Sequence, residues 1–174
     1  MTNTAAAMAA LTWMTVSWLH RGAPSVLGAA AGAVAGLVAI TPASGYVDVS
    51  ASIIIGLGAG IFCYVGVQAT KRLKVDDALD VFGVHGVGGA WGALATGVFA
   101  TVAINSGAAD GLLAGNPGQL GIQAIAVAAS VTYSAVMTFV ILRLINLFVA
   151  LRVPENEEVL GLDATQHREA AYQL

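Results

Sequence analysis

Three histidines occur in this chain, and only His85 lies well inside an apolar run. An ionisable side chain at such a depth is a functional candidate by default. A neutral imidazole offers one donor and one acceptor nitrogen. Such a ring can hand on a small polar solute or a proton, but it is a poor trap for a bare cation. Helical spacing predicts Val81, His85 and Gly88 or Gly89 on one face, so that the ring projects from a narrow, smooth stripe. The competing reading is a structural histidine bonded to a neighbouring helix. Asp80 is expected to begin the same helix, where the positive helix end favours an acid, and Asp77 is placed to serve as its N-cap. The alternative role for Asp80 is to hold the mouth of a conduit together, and the two readings are compatible.

Other chemistry finds little support. The histidines are scattered without acids at ligand spacing, so no metal site is expected. Cys63 is alone, which excludes a disulfide within the chain. Gly83-Val84-His85-Gly86-Val87-Gly88-Gly89 lies inside an apolar run, where a nucleotide fingerprint is spurious. No nucleophile–base arrangement is present. Neither an enzyme nor a cofactor is expected.

The elements that must position these residues belong in a membrane. Of 174 residues, 57% are hydrophobic and 10% charged, against about a quarter charged in soluble domains. Mean hydropathy is +0.81. Between Ala78 and Arg143 the only acids are Asp80 and Asp110, and the only base is His85. So few charges cannot cover a soluble globule, which excludes a soluble enzyme, a nucleic-acid binder and a disordered tail. The first residues lack a basic region, which argues against a secretory signal.

A bilayer core takes about 20 apolar residues as helix. Five runs approach that length: 4–19, 24–40, 49–70, 80–104 and 119–151. The expected fold is therefore an all-α membrane protein with five transmembrane helices over residues 1–153. A cytoplasmic tail is expected over 154–174. His20 and Arg21 follow the first run, Lys71, Arg72 and Lys74 the third, and Arg152 the fifth, while the other loops carry no Lys or Arg. Bases on every second loop place the N-terminus outside and the C-terminus in the cytoplasm. Gly28, Gly32 and Gly36 form one stripe, and Gly56/Gly60 and Gly88/Gly92 form two more, predicting close helix packing. Trp13 and Trp18 read as interfacial anchors and Trp91 as a packing residue. The polar stretch beyond Pro154 is either a solvated end or a docking segment.

The run Asp76-Asp77-Ala78-Leu79-Asp80-Val81-Phe82-Gly83-Val84-His85-Gly86-Val87-Gly88-Gly89 resembles the signature helix of the ammonium transporter (Amt/Rh) family. Thr41-Pro42-Ala43-Ser44-Gly45-Tyr46, Leu151-Arg152-Val153-Pro154 and Gly161-Leu162-Asp163 are similar to segments of the same family, in the same order. The resemblance covers essentially the whole chain and implies helices seven to eleven: the second of two inverted five-helix repeats, plus a long terminal helix. It implies a trimer of such proteins, each with its own pore between repeats. On that basis His85 and Val81 line the hydrophobic pore and conduct ammonium or ammonia, and Asp80 and Asp77 are structural at the pore-helix start. Asp163, His167 and Tyr172 fall in the region that docks a PII-type signalling protein. The expected partners are ammonium, membrane lipid, further copies of the protein and the missing N-terminal half in cis or trans, with no nucleic acid. First-repeat pore residues have no counterpart here, so conduction by this chain alone is not expected. The alternative is a non-conducting fragment or regulatory subunit that presents the tail.

Overall fold

Glycine spacing decides how the first helices meet. A computed structural model describes residues 1–170. Helix α1 spans Thr2–Arg21, α2 Val26–Ile40 and α3 Val49–Arg72. A π-helical turn, Phe82–Gly86, leads into α4, Val87–Phe99, and α5 spans Pro117–Ile145. A short helix, α6 (Glu155–Leu160), and a π-helical turn over Asp163–His167 follow. Among the described residues there is no strand.

The boundaries follow from local chemistry. Gly22 ends α1 in the left-handed conformation, φ 81°, with its N–H on the Trp18 carbonyl. Ser25 opens α2 by accepting from the Gly28 N–H, and Asp48 opens α3 by accepting from the Ala51 N–H at 2.8 Å.

The chain forms two compact units, Met1–Ala129 and Ser130–Leu174. In the first, α1 and α3 run in the same direction and α2 and α4 run against them. Gly28, Gly32 and Gly36 meet Trp13, Ala9 and Ala5 in turn, so α2 lies antiparallel on α1. Gly56 and Gly60 meet Ala5 and Thr12, which sets α3 parallel to α1. Gly92 abuts the Ala39 carbonyl and Gly88 meets Val38 and Cys63, joining α4 to α2 and α3. The three stripes read from the sequence are therefore helix–helix contacts. Ala5, Ala9, Ala35, Ala39 and Ala59 are fully buried, while Val26 and Leu27 are 90% and 80% exposed. Small residues inside with large ones outside is the pattern of helices packed in lipid, where close backbone approach substitutes for a hydrophobic drive.

Two helices, Val49–Arg72 and Pro117–Ile145, are each long and apolar enough to cross a membrane. Several local expectations shift. The helix expected from residue 80 to 104 starts after Asp80 and ends at Phe99. Ala100 turns out of it with ψ 144°, its carbonyl accepts from the Gly111 N–H, and Thr101 N–H donates to the Tyr46 carbonyl. These tertiary backbone bonds join two loops, and hydropathy cannot register them. The apolar run 119–151 is helical only to Ile145, because Asn146 turns the chain and accepts from the Leu151 N–H. Trp13 is not an interfacial anchor: it is 4% exposed and meets Tyr64 edge-on. Trp18 is exposed, as an anchor would be.

In the second unit, the Arg143 guanidinium lies 4.9 Å from the Phe139 ring centroid. Arg152 grips the Glu158 carboxylate through two nitrogens, and the Gln166 amide donates to Glu157. Pro154 is not what stops the long helix, which ends earlier at Ile145; it stands instead at the start of α6.

Candidate functional site

Asp77 builds the site from below. Its two carboxylate oxygens accept from the Val81 and Phe82 N–H groups, each at 2.8 Å. Both donors would otherwise be orphans of the first turn. One residue more than an α-turn is then wound into Phe82–Gly86, closed by the Val87 N–H on the Phe82 carbonyl. Such π turns widen the helix locally and are frequent at functional sites. On the inner side, Gly83 touches the backbone and side chain of Val67, and Gly66 of α3 faces Val87. The Cys63 thiol donates to the Val84 carbonyl at 3.6 Å. With Gly83 and Val84 buried, Phe82, His85 and Gly86 turn outward.

His85 is exposed and forms no hydrogen bond to the protein among the described residues. Among the described residues, His85 is therefore not tied to a neighbouring helix. Val81 and Phe82, one helical turn earlier, are also exposed, at 49% and 63%. The predicted stripe is half right in its glycines: a Cβ at Gly89 would meet nothing within 4 Å, whereas Gly88 turns inward against Cys63 and Val38. The extra residue in the π turn shifts the register.

Asp80 immediately precedes the helix, but its side chain does not cap it. It sits in the left-handed region, φ 55°, and its carboxylate meets the Lys71 ammonium at 3.1 Å. Its carbonyl accepts from the Val84 N–H at 2.9 Å, so it steadies the turn through its backbone. Asp77 and Asp80 thus hold the helix entrance by different bonds. The signal for Asp77 was its spacing ahead of a glycine-rich run. The Lys71 partner had no signal, because the loop between α3 and the π turn can close in many ways. Trp91 is a packing residue, as expected, and its indole N–H donates to the Ile55 carbonyl at 2.9 Å.

In the tail, Asp163 and His167 are the two ends of one π-helical turn, and the Glu169 N–H donates to the Asp163 carbonyl. Tyr172 lies outside the described residues. Among the described residues no group of three or more His, Cys, Asp or Glu is placed to hold a metal ion.

Helices joined through small residues, with large apolar side chains outside and one broken helix presenting an imidazole, define an all-α membrane protein. Residues 1–172 match the profile of the Ammonium Transporter Family. The chain belongs to the ammonium transporter family. It is 51% identical to an ammonium transporter of Bacillus subtilis over 99% of this chain and 43% of that protein. It is 46% identical to the ammonium transporter Amt1 of Archaeoglobus fulgidus over 98% of this chain and 43% of that protein. The crystal structure of Saccharomyces cerevisiae Mep2 superposes with TM-score 0.85 at 34% identity, covering 95% of this chain and 38% of Mep2. The chain thus spans less than half the length of these relatives.

Proposed function

We propose that this chain supplies one wall of an ammonium conduit, with His85 as the hydrogen-bonding group and Val81 as its apolar neighbour. The observation that supports this reading is the exposed imidazole of His85, without a hydrogen bond among the described residues, on a turn that also exposes Val81 and Phe82 and that Asp77 secures. A surface that places one polar ring among apolar groups suits contact with a second wall. The family resemblance supports reading that wall as the first repeat, in cis or trans, within a trimer. Moving a bare ammonium ion through a dry lumen is costly, since its hydration is lost without replacement. Deprotonation near the entrance, with the proton passing to water there and carried separately or returned, removes that cost. Neutral ammonia can then pass the imidazole by exchanging hydrogen bonds, while the apolar walls exclude hydrated sodium and potassium. In this reading the basic loop ends face the cytoplasm and the N-terminus faces outward. The tail is the docking segment for a PII-type regulator, with Asp163, His167 and Tyr172 in its contact region.

The test is uptake of labelled methylammonium by cells lacking their own ammonium carriers. This chain alone should give none, and co-expression with the first six helices of the family should give uptake. His85→Ala in the reconstituted transporter should change flux or selectivity while the trimer still assembles. Unaltered uptake and selectivity in that variant would remove His85 from the conduit.

A further inference from the structure

Helix α3 supports the turn that carries His85 along one stripe. Cys63, Val67 and Lys71 recur every four residues and so share a helix face. The Cys63 thiol donates to the Val84 carbonyl, Val67 packs on Gly83, and the Lys71 ammonium meets the Asp80 carboxylate at 3.1 Å. The first two contacts are buried, whereas the third lies at the exposed mouth of the turn. Asp80 is where the turn is strained. Its φ of 55° lies in the left-handed region, where the Cβ of an L-residue crowds the following carbonyl. Its N–H donates to the Asp77 carbonyl at 3.1 Å, and its own carbonyl accepts from the Val84 N–H at 2.9 Å. The backbone of Asp80 therefore sets where Val84 lies, and His85 is the next residue. Asp77 secures the N–H groups of Val81 and Phe82 but leaves the φ of Asp80 to other forces. Turning Asp80 into the right-handed region relieves the crowding, swings its carboxylate off Lys71 and rewinds the turn beneath His85.

We propose that Lys71 is a positioning residue for His85: its ammonium holds Asp80 in the left-handed conformation and so fixes the direction in which the imidazole projects. An exposed ion pair is weak. The opposing preference for a right-handed Asp80 is weak as well, because aspartate tolerates the left-handed region better than most residues. Two small terms of opposite sign leave the turn close to balance, so removing one of them shifts it. Lys71 stands one turn beyond Val67 on the same face of α3, so it belongs to the wall on which Gly83 rests. The proposal deepens the conduit reading, on which its meaning for transport rests. The direction of His85, however, is measured without transport.

The experiment is acylation of histidines by diethyl pyrocarbonate in the full chain in detergent micelles, with the rate at each site read by peptide mass spectrometry. His20 and His167 serve as references within the same molecule. His85 is exposed in the wild type, so turning it from its present direction slows its acylation. Lys71→Gln should lower the His85 rate about threefold relative to the references, the scale of one exposed ion pair. Lys71→Arg should keep the wild-type rate. Asp80→Gly adopts the left-handed conformation unaided, so it should keep that rate too, and adding Lys71→Gln to it should change nothing. Each variant is compared at unchanged helical circular dichroism, and the Gln/Arg pair decides the matter if Asp80→Gly does not fold. A His85 rate that Lys71→Gln does not lower, or that Lys71→Arg lowers equally, overturns the proposal. Equal slowing of all three histidines, or a Lys71→Gln effect that persists in the Asp80→Gly background, overturns it as well. Failure of methylammonium uptake alongside the expected His85 response removes the conduit reading and leaves Lys71 in its positioning role.

Discussion

Asp77 and Asp80 stand three residues apart, and their bonds differ in kind. Asp77 satisfies two backbone donors at the start of the turn that carries His85. Asp77→Ala should lower stability by about 1–2 kcal/mol, the cost of an unmade cap. Asp77→Asn keeps one acceptor oxygen and should recover part of that loss. Thermal unfolding in detergent measures both, and equal midpoints for wild type and alanine would remove Asp77 from this role. Asp80 meets Lys71, whose side chain is 60% exposed. Asp80→Asn should therefore cost less than about 1 kcal/mol, and added salt should shrink the difference. The sequence made both aspartates eligible at the helix start. It offered Asp77 as the N-cap but could not give the partner of Asp80, because that depends on where Lys71 arrives from another helix.

At the scale of elements, glycines decide which helices can approach. Replacing a helical glycine by alanine gains about 1 kcal/mol of helix propensity where there is room. At Gly89 nothing lies within 4 Å of an added methyl, so Gly89→Ala should hold or raise thermal stability. At Gly92 the methyl would run into the Ala39 carbonyl, and at Gly36 into the Ala5 carbonyl. Backbone cannot swing aside as a flexible side chain can, so the overpacking cost of about 1–3 kcal/mol exceeds the propensity gain. Gly92→Ala and Gly36→Ala should unfold at lower temperature than wild type. If Gly89→Ala is the most damaging of the three, the packing argument is wrong. In the reconstituted transporter Gly89→Ala should also reduce methylammonium flux, since its methyl lies on the same outward side as His85. Periodicity alone made Gly88 and Gly89 equivalent candidates for that side. The π turn separates them, and its extra residue leaves no trace in hydropathy.

At the scale of the whole molecule, deleting residues 154–174 should abolish binding of a PII-type protein and leave the helical circular dichroism of the membrane helices. Binding that survives the deletion would move the docking site elsewhere. Composition and apolar runs by themselves determined that this chain is a helical membrane protein, because so few charges cannot cover a water-facing surface. The motif around His85 was enough to indicate the family. Glycines recurring every four residues marked the packing stripes, since that spacing returns to one face of a helix. Only the tertiary structure decided where the helix before His85 starts, that Asp80 meets Lys71, which glycine turns inward and that Trp13 is core. Those outcomes depend on neighbours contributed by other helices. Hydropathy sums over a single segment, whereas a π turn, an inter-helix ion pair and a loop-to-loop backbone bond each require groups distant in the chain to arrive at the same place.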